Sequence, residues 1–438
     1  MKFRRIALAL ATLAAFGSAS AADLLAVYRD AQLSDPVYQS ARAQYAATLE
    51  KLPEARAGYL PLIAASASVF HNNVDLQIAQ NVTYDNHVYA LTLSQPIFRL
   101  QNWIAIDQAK QQVLQAEAVL VGAQQDLMLR VAQAYFDVLL AHDNVALSET
   151  QSVAISEQLA QAKRNFEVGT ATIVDTLDAQ ARYDQTIAKA ISDKNDLEVK
   201  RRTLQALIGT LPESLTPLRE PLQLGEPKPN DIEAWVKSSQ DSSYAIANAR
   251  ANFEIAREEV NRQRAGHLPT LDLSGSFARA TNPSTSVPGV IGATANTSAI
   301  GLILSIPIYA GGLTQARVRE ALANRERAAQ DLESAQRTIA LSVRTNFLNV
   351  TNGISQVRAL EQALASTQSQ LDSTILGRDV GVRTSVDVLN AQQAVFQTRR
   401  DLQQARYNFL LSNLRLKAAS GTITDADIEE VNRTLARA

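Results

Sequence analysis

The chain has 438 residues, 46% hydrophobic and 20% charged, with a formal net charge of −2. This balance, without any basic run, excludes the positive surface that nucleic-acid binding requires, so no nucleic acid is expected as a partner. The absence of cysteine excludes disulfides, thiol chemistry and a lipid anchor on an N-terminal cysteine. No nucleophile–base pair, phosphate loop or metal-ligand spacing is present, which predicts a protein that is not an enzyme and carries no cofactor or metal.

Residues 1–21 have the pattern of a secretory signal peptide. An apolar core at 6–16 follows three cations and precedes an A-x-A cleavage site at 19–21. The cations are Lys2, Arg4 and Arg5. We therefore expect an exported mature chain that begins at Ala22, with a formal charge of −5 instead of −2. No later stretch is apolar for the ~20 residues that a membrane-spanning helix needs.

The rest of the chain is an internal duplication. The phrase Arg56–Pro61 recurs as Arg264–Pro269 at an offset of 208 residues, and Val168–Gln180 recurs as Val380–Gln392 at an offset of 212. A duplication of this length indicates one structural unit used twice. We assign the first repeat to residues 22–210 and the second to 231–421, followed by a C-terminal segment at 422–438.

The first repeat is predicted to contain one helix, two strands and a long helical hairpin. The helix covers about 23–56, and alternating apolar and small polar residues predict strands at about 60–70 and 88–96. The hairpin covers 102–208, with its turn at Gly169. The polar segment between the two strands is predicted to be a loop.

The second repeat has the same order of elements. Strands are predicted at about 270–279 and 298–307, and the helical hairpin at 313–419 with its turn at Gly381. Residues 211–230 connect the repeats and are rich in proline, a composition compatible with either an ordered strap or a flexible linker.

The first helix of each hairpin is too long for a compact domain. Each contains no proline over more than 60 residues and would extend for ~100 Å, with apolar residues at the steps of three and four that mark a coiled-coil seam. Exported chains cross an outer membrane only as closed barrels, and four strands cannot close one alone. Three copies would supply twelve strands. The alternatives are a periplasmic structural coiled coil without a pore, or a periplasmic adaptor, which would have one hairpin flanked by β-rich domains.

The chain resembles the TolC-type outer-membrane efflux proteins over nearly its whole mature length. The resemblance rests on the duplicated order of elements together with Gly266–Leu273, Pro307–Gly312 and Val380–Leu389. It implies a mainly α fold with a small β part: a homotrimer with a 12-stranded outer-membrane barrel continued by a long α-helical barrel in the periplasm. It also implies a passive exit duct for efflux or type I secretion in a Gram-negative cell. A periplasmic adaptor (membrane fusion protein) and an inner-membrane ABC, RND or MFS transporter would open it.

The acidic residues after the two turns allow two interpretations. From the sequence alone, Asp175, Asp178 and Asp387 are solvated acids favoured by the helix dipole. The resemblance implies instead that Asp387 faces the lumen, so that three copies form a carboxylate ring that selects cations and allows cation block. A second acid of the family is replaced here by Asn390, and Asp178 occupies the matching position of the first repeat.

The resemblance also implies bonds between neighbouring hairpins that close the periplasmic entrance. It assigns these bonds to Arg383, with Asp175 and Gln158 as acceptors. Arg378 stands where the family has a tyrosine and Val174 where it has a threonine, so some bonds must differ. The turns around Gly169 and Gly381 are predicted to contact the adaptor.

Overall fold

The computed structural model describes residues 21–74, 82–284 and 291–436, so the predicted signal peptide lies outside the described residues except for Ala21. The chain divides into two compact units. The helical unit contains residues up to Arg42, Leu120–Tyr244 and the chain from Gln336 onward, and the sheet unit contains Ala43–Val119 and Ala245–Ala335. Both repeats therefore contribute to both units.

The single helix predicted at the start of each repeat is divided. The first repeat has α1 (Leu24–Ser34), α2 (Pro36–Leu49) and α3 (Lys51–Ala57). Pro36 explains the first break, because proline disfavours helical backbone in the residue before it and is tolerated as the first residue of a helix. The helices at the start of the second repeat and at the C-terminal end are α6 (Ile232–Ser242), α7 (Tyr244–Arg264) and α10 (Asp425–Asn432).

The two long helical hairpins are present as predicted. In the first, α4 (Leu100–Glu167) is followed by α5 (Ile173–Ile208). In the second, α8 (Leu313–Asp379) is followed by α9 (Ser385–Ala419). Among the helices of the described residues, none combines the length and apolar character needed to cross a membrane.

The four strands form one antiparallel sheet in the order β1-β2-β3-β4. Their bounds are Leu62–Val74, Val82–Phe98, Thr270–Ser284 and Ile291–Ser305. All four extend into the polar segments that were predicted to be loops. Polar side chains are compatible with this extension because ladder hydrogen bonds involve only the backbone, and His71 opposite Asp85 adds a cross-strand contact of 2.7 Å.

The strand register separates an apolar face from a face of small and hydroxyl side chains. Leu91 stands opposite Phe277, and Leu93 stands opposite Ile63 on the same face. On the other face, Thr92 stands opposite Ser276. The apolar face is exposed: Ile63, Leu91, Phe277, Ile300, Leu302 and Leu304 are each 48–78% accessible. Within the described residues, β1 and β4 each have one unpaired edge.

The proline-rich connection is an ordered strap packed on the helical unit. Thr216 is buried, its backbone N–H donates to the carbonyl of Ala22 at 3.1 Å, and its carbonyl accepts from the buried Tyr135 hydroxyl at 2.8 Å. Leu218 forms an antiparallel bridge with Leu435. These bonds satisfy backbone groups around Thr216 and Leu218 without regular secondary structure.

Side chains of the two hairpins meet inside the helical unit. The rings of Phe136 and Tyr407 lie 5.7 Å apart, and the Tyr407 hydroxyl donates to Asp143 at 2.8 Å. Burial raises the pKa of Asp143, although the hydrogen bond from Tyr407 acts in the opposite direction. The contact fixes α4 of the first repeat against α9 of the second.

Candidate functional site

The hairpin tips lie in the helical unit and have the same backbone geometry. Gly169 and Gly381 have φ values of 78° and 82°, in the left-handed region that glycine adopts at little cost. The N–H of Thr170 donates to the carbonyl of Asn165, and that of Val382 to the carbonyl of Gly377, both at 2.8 Å. These are Schellman motifs, which satisfy the last carbonyls of α4 and α8.

Each returning helix begins with a capping box that uses a predicted site residue. Asp175 accepts from the backbone N–H of Thr172 at 2.9 Å, and the Thr172 hydroxyl accepts from the N–H of Asp175 at 3.2 Å. Thr384 and Asp387 make the same reciprocal bonds at 2.9 and 3.1 Å. Both acids therefore have a structural role at a helix N-terminus, independent of any role in a pore.

The capping bonds also affect the protonation of Asp387. The backbone N–H of Thr384 is the main cause of a lowered pKa for this carboxyl group, helped by the Thr384 hydroxyl and the charge of Arg383. The carboxylate therefore stays ionised to lower pH than an ordinary aspartate. Among the described residues, no group of three or more histidine, aspartate or glutamate side chains could hold a metal ion.

The tips expose apolar side chains. Val168, Val380 and Val382 are 67–74% accessible. A Cβ atom added to Gly169 or Gly381 would meet no heavy atom within 4 Å. The tips thus present uncovered apolar surface next to the capping residues Asp175 and Asp387.

Valine at Gly169 or Gly381 is expected to strain the turn because of its backbone, not because of a clash. β-branched residues are disfavoured at positive φ, at a cost of about 1–3 kcal/mol. We expect a lowered unfolding temperature, measured against Gly225→Val, which lies in open space without a positive φ. An unfolding temperature equal to that of the control would show that the tip turns tolerate the side chain.

Arg378 connects the two hairpins within one chain. Its Nη1 lies 3.3 Å from the side-chain oxygens of both Gln158 and Gln161 on α4. Its Nη2 donates to Asp379 at 2.7 Å, and its side chain is only 17% exposed. Arg378 therefore reaches Gln158, one of the acceptors predicted for Arg383.

Arg383 occupies a different position. Its side chain crosses the last turn of α8, so close that a Cβ on Gly377 would lie 2.7 Å from the Arg383 Cγ. Within the described part of this single chain, no hydrogen bond or ion pair involves its guanidinium group. The Arg383–Asp175–Gln158 set is thus not assembled inside one chain, and bonds from Arg383 to a neighbouring copy stay a prediction.

A second connection between the hairpins involves Arg182, which the sequence analysis did not identify. Its Nη2 donates to Asn390 at 3.0 Å, and its Nη1 donates to Gln393. Asn390 therefore accepts a bond from the other hairpin, while Asp178 is exposed. The sequence shows only that Arg182 follows Asp178 by one helical turn. It does not reveal the contact with Asn390, which is about 200 residues away in the sequence.

The comparison with known families covers both repeats. The profile of the outer membrane efflux protein family matches residues 27–210 and 235–422. The two matched segments correspond to the duplication and together include the sheet and both hairpin tips.

Individual relatives extend over nearly the whole chain. Outer membrane protein TolC of Vibrio cholerae serotype O1 is 33% identical, covering 96% of this chain and 97% of that protein. The alkaline protease secretion protein AprF of Pseudomonas aeruginosa is 29% identical, with coverages of 94% and 87%. The solved structure of the outer membrane protein VceC from Vibrio cholerae has a TM-score of 0.76 at 18% identity, covering 91% of this chain and 96% of VceC. From the match of both repeats and the full-length similarity, this chain belongs to the outer membrane efflux protein family.

Proposed function

We propose that the chain is the outer-membrane exit duct of a tripartite efflux pump or a type I secretion system. The observation that carries this proposal is the four-stranded sheet, with an exposed apolar face and two unpaired edges. In the same chain, long helical hairpins end in uncovered tips. A duct needs a part that crosses the membrane and a part that reaches its feeding pump, and this chain has a candidate for each.

The unpaired edges of the sheet call for additional copies of the chain. Free N–H and C=O groups at a strand edge are not tolerated in the hydrocarbon region of a membrane, so β1 of one copy must pair with β4 of the next. Three copies close a twelve-stranded barrel, within the size range of such barrels. The apolar face would contact lipid, and the face of serine, threonine and alanine side chains would line the lumen.

The rival function, a periplasmic coiled coil without a pore, does not account for the apolar face. A soluble protein would have to cover the exposed leucine, isoleucine and phenylalanine side chains. A periplasmic adaptor would have a single hairpin, whereas this chain has two. The sheet therefore favours a membrane-embedded role.

The hairpin tips are the proposed contact for the partner proteins. Val168, Val380 and Val382 provide apolar surface, and the turns at Gly169 and Gly381 present it in the same geometry. A periplasmic adaptor that docks there would connect the duct to an inner-membrane ABC, RND or MFS transporter. The transported compound is selected by that transporter rather than by a passive duct.

Asp387 is the proposed selectivity residue of the periplasmic entrance. Three carboxylates around a narrow axis attract cations, because a constriction with low-dielectric walls focuses the electric field. Asn390 adds no charge to this ring. Its hydrogen bond from Arg182 indicates a structural use instead.

Purified protein in planar lipid bilayers tests this function. We expect chemical cross-linking in detergent to give a ladder that ends at three copies. The reconstituted trimer should conduct with a preference for cations and be blocked by a trivalent cation. Asp387→Asn should remove both the preference and the block while the trimer persists.

Asp175→Asn is the control for the capping bonds, because Asp175 makes the same ones in the other hairpin tip. Only the cation preference is compared, since Asp175 is also a predicted acceptor of Arg383. Asparagine can still accept the capping bond, so both variants should fold. A cation preference retained in Asp387→Asn would exclude the proposed ring. A folded monomer that leaves the membrane fraction in a salt wash would exclude the duct itself.

A further inference from the structure

A small cationic pocket lies between the two hairpins, behind their tips. It has a volume of about 170 Å³ and is bounded by α4, α5 and α9. Its lining contains three cations, Arg182, Lys189 and Arg400, and no acidic side chain. Glutamine amides and the buried side chains of Ile155, Leu389 and Phe396 complete the walls of this hairpin pocket.

The cations have too few carboxylates near them. Asp193, whose side chain is 6% exposed, accepts from Lys189 at 2.6 Å and lies 3.7 Å from Arg400. Among the residues that the structure describes, Arg182 has only the neutral partners Asn390 and Gln393. One carboxylate therefore stands against three cations, which leaves about two positive charges without compensation at the pocket.

Arg400 also has unused hydrogen-bond donors. Its Nε and Nη2 atoms are buried, and neither has a hydrogen-bond acceptor among the described residues. Its distance of 3.7 Å from Asp193 is too long for a hydrogen bond. The carboxylate oxygen nearest to Nη2 is Asp193 Oδ2, which is also buried without a hydrogen-bond partner in the described part of the chain, so these two groups face each other. An acceptor that enters the pocket would therefore gain mainly charge compensation from the three cations of its lining.

We propose that the hairpin pocket binds a small oxyanion of the phosphate or carboxylate class. Arg400 would be the main ligand, because it lies in the lining with a partly exposed side chain and a planar guanidinium group, which suits oxyanions. Lys189 and Arg182 would supply the flanking charges. The volume is sufficient for a tetrahedral oxyanion together with water, since each water occupies about 30 Å³.

The bound anion would connect the two repeats. Arg182 and Lys189 belong to α5 of the first hairpin, and Arg400 belongs to α9 of the second. An anion between them would add to the contact that Arg182 makes with Asn390 and Gln393. The site depends only on this packing, so it stands whether or not the chain acts as a duct.

Isothermal titration of the detergent-solubilised full-length protein with sodium phosphate tests the site directly. The ionic strength is held constant with sodium chloride, because exposed charges are screened at about 0.1 M salt. We expect saturable phosphate binding with a rise in unfolding temperature. Arg400→Gln should weaken phosphate binding by about tenfold or more, since it removes the positive charge and the guanidinium N–H donors together.

Arg399→Gln is the matched control for the site. Arg399 is the sequence neighbour of Arg400, but it is exposed, donates to Gln368 at 3.3 Å and is not in the lining of the pocket. Lys189→Gln and Lys194→Gln form a second pair, because Lys194 pairs with Glu149 outside the pocket. Each pocket variant should lose affinity, and each control should keep it.

Parallel titrations with sodium acetate distinguish the two oxyanion classes. Binding of acetate alone would assign the pocket to a carboxylate, and binding of phosphate alone would assign it to a phosphate group. If Arg400→Gln fails to fold, Arg400→Lys is the substitute. It keeps the positive charge but removes the planar guanidinium group, and it should also weaken binding. The proposal is overturned if neither anion binds, or if the Arg399 and Arg400 variants lose affinity equally.

Discussion

Replacement of Arg130 by methionine is expected to lower the free energy of unfolding by about 3–5 kcal/mol, because it leaves a buried carboxylate without its charge partner. Arg130 donates from Nη1 and Nη2 to the two oxygens of Asp35, at 3.2 and 2.9 Å. Asp35 is only 2% exposed. Methionine keeps much of the length of the side chain but removes the charge and both donors. Urea denaturation at neutral pH measures the effect.

Asp126→Asn is the control for this prediction. Arg130 also contacts Asp126 at 2.6 Å, but Asp126 is 57% exposed, and exposed ion pairs contribute only about 0–1 kcal/mol. The Asp126 variant should therefore be close to the wild type. Equal losses in the two variants would contradict the importance assigned to the buried pair.

The same pair has a defined pH dependence. The hydrogen bonds from Arg130 are the main cause of a lowered pKa for Asp35, against the opposing effect of burial. The stabilisation is thus fully present above the ordinary aspartate pKa of about 3.9 and is lost as the pH falls through the lower folded-state value. In Arg130→Met the opposing effect of burial remains, so the Asp35 pKa of the variant is higher than that of the wild type. The difference in stability between the two proteins should shrink as the pH falls through the pKa of the variant and should disappear below that of the wild type. A difference that stays the same from neutral pH down to about pH 3, below the ordinary aspartate pKa, would assign the effect to another group.

Removal of Arg378 is expected to raise the resting conductance of the reconstituted duct. In each chain this side chain connects α8 with Gln158 and Gln161 on α4, and it is mostly buried. A hydrogen bond from a charged group contributes about 1.5–3 kcal/mol, and three-fold symmetry would multiply its loss. We therefore expect Arg378→Ala to favour the open entrance strongly. Single-channel recording in planar bilayers measures the change.

Arg383→Ser separates bonds between chains from bonds within a chain. Arg383 makes no hydrogen bond or ion pair within the described part of one chain, although its charge acts on Asp387. Closing bonds that are lost with Arg383 must therefore be bonds to a neighbouring copy. We expect the conductance of the Arg383→Ser variant to rise as well. Arg399→Gln, which removes an exposed cation elsewhere, is the control. Unchanged conductance in Arg383→Ser would assign closure of the entrance to the Arg378 contacts. Unchanged conductance in Arg378→Ala would contradict the proposed intrachain closure.

The repeats, the long hairpins and the tips could be predicted from the sequence because their causes are local. Val-Gly turns at matching positions require positive φ at Gly169 and Gly381, and the structure has this conformation at both. The spacing of Thr172 and Asp175 is that of a capping box, whose reciprocal bonds add to the helix-dipole effect expected for the acid. Strand periodicity located all four strands, but not their ends, since backbone pairing continues where the side-chain pattern stops.

The sequence by itself determined the duplicated architecture, the four strands and the family, because periodicity, turn chemistry and motif spacing act over a few residues. Only the tertiary structure decided which side chains meet. It paired Arg378 with Gln158, gave Arg182 the acceptor Asn390, and packed the proline-rich strap against Tyr135. The hairpin pocket also arises in this way. Arg400 is about 200 residues away in sequence from Arg182 and Lys189, and only the packing of α5 against α9 brings the three cations to one place.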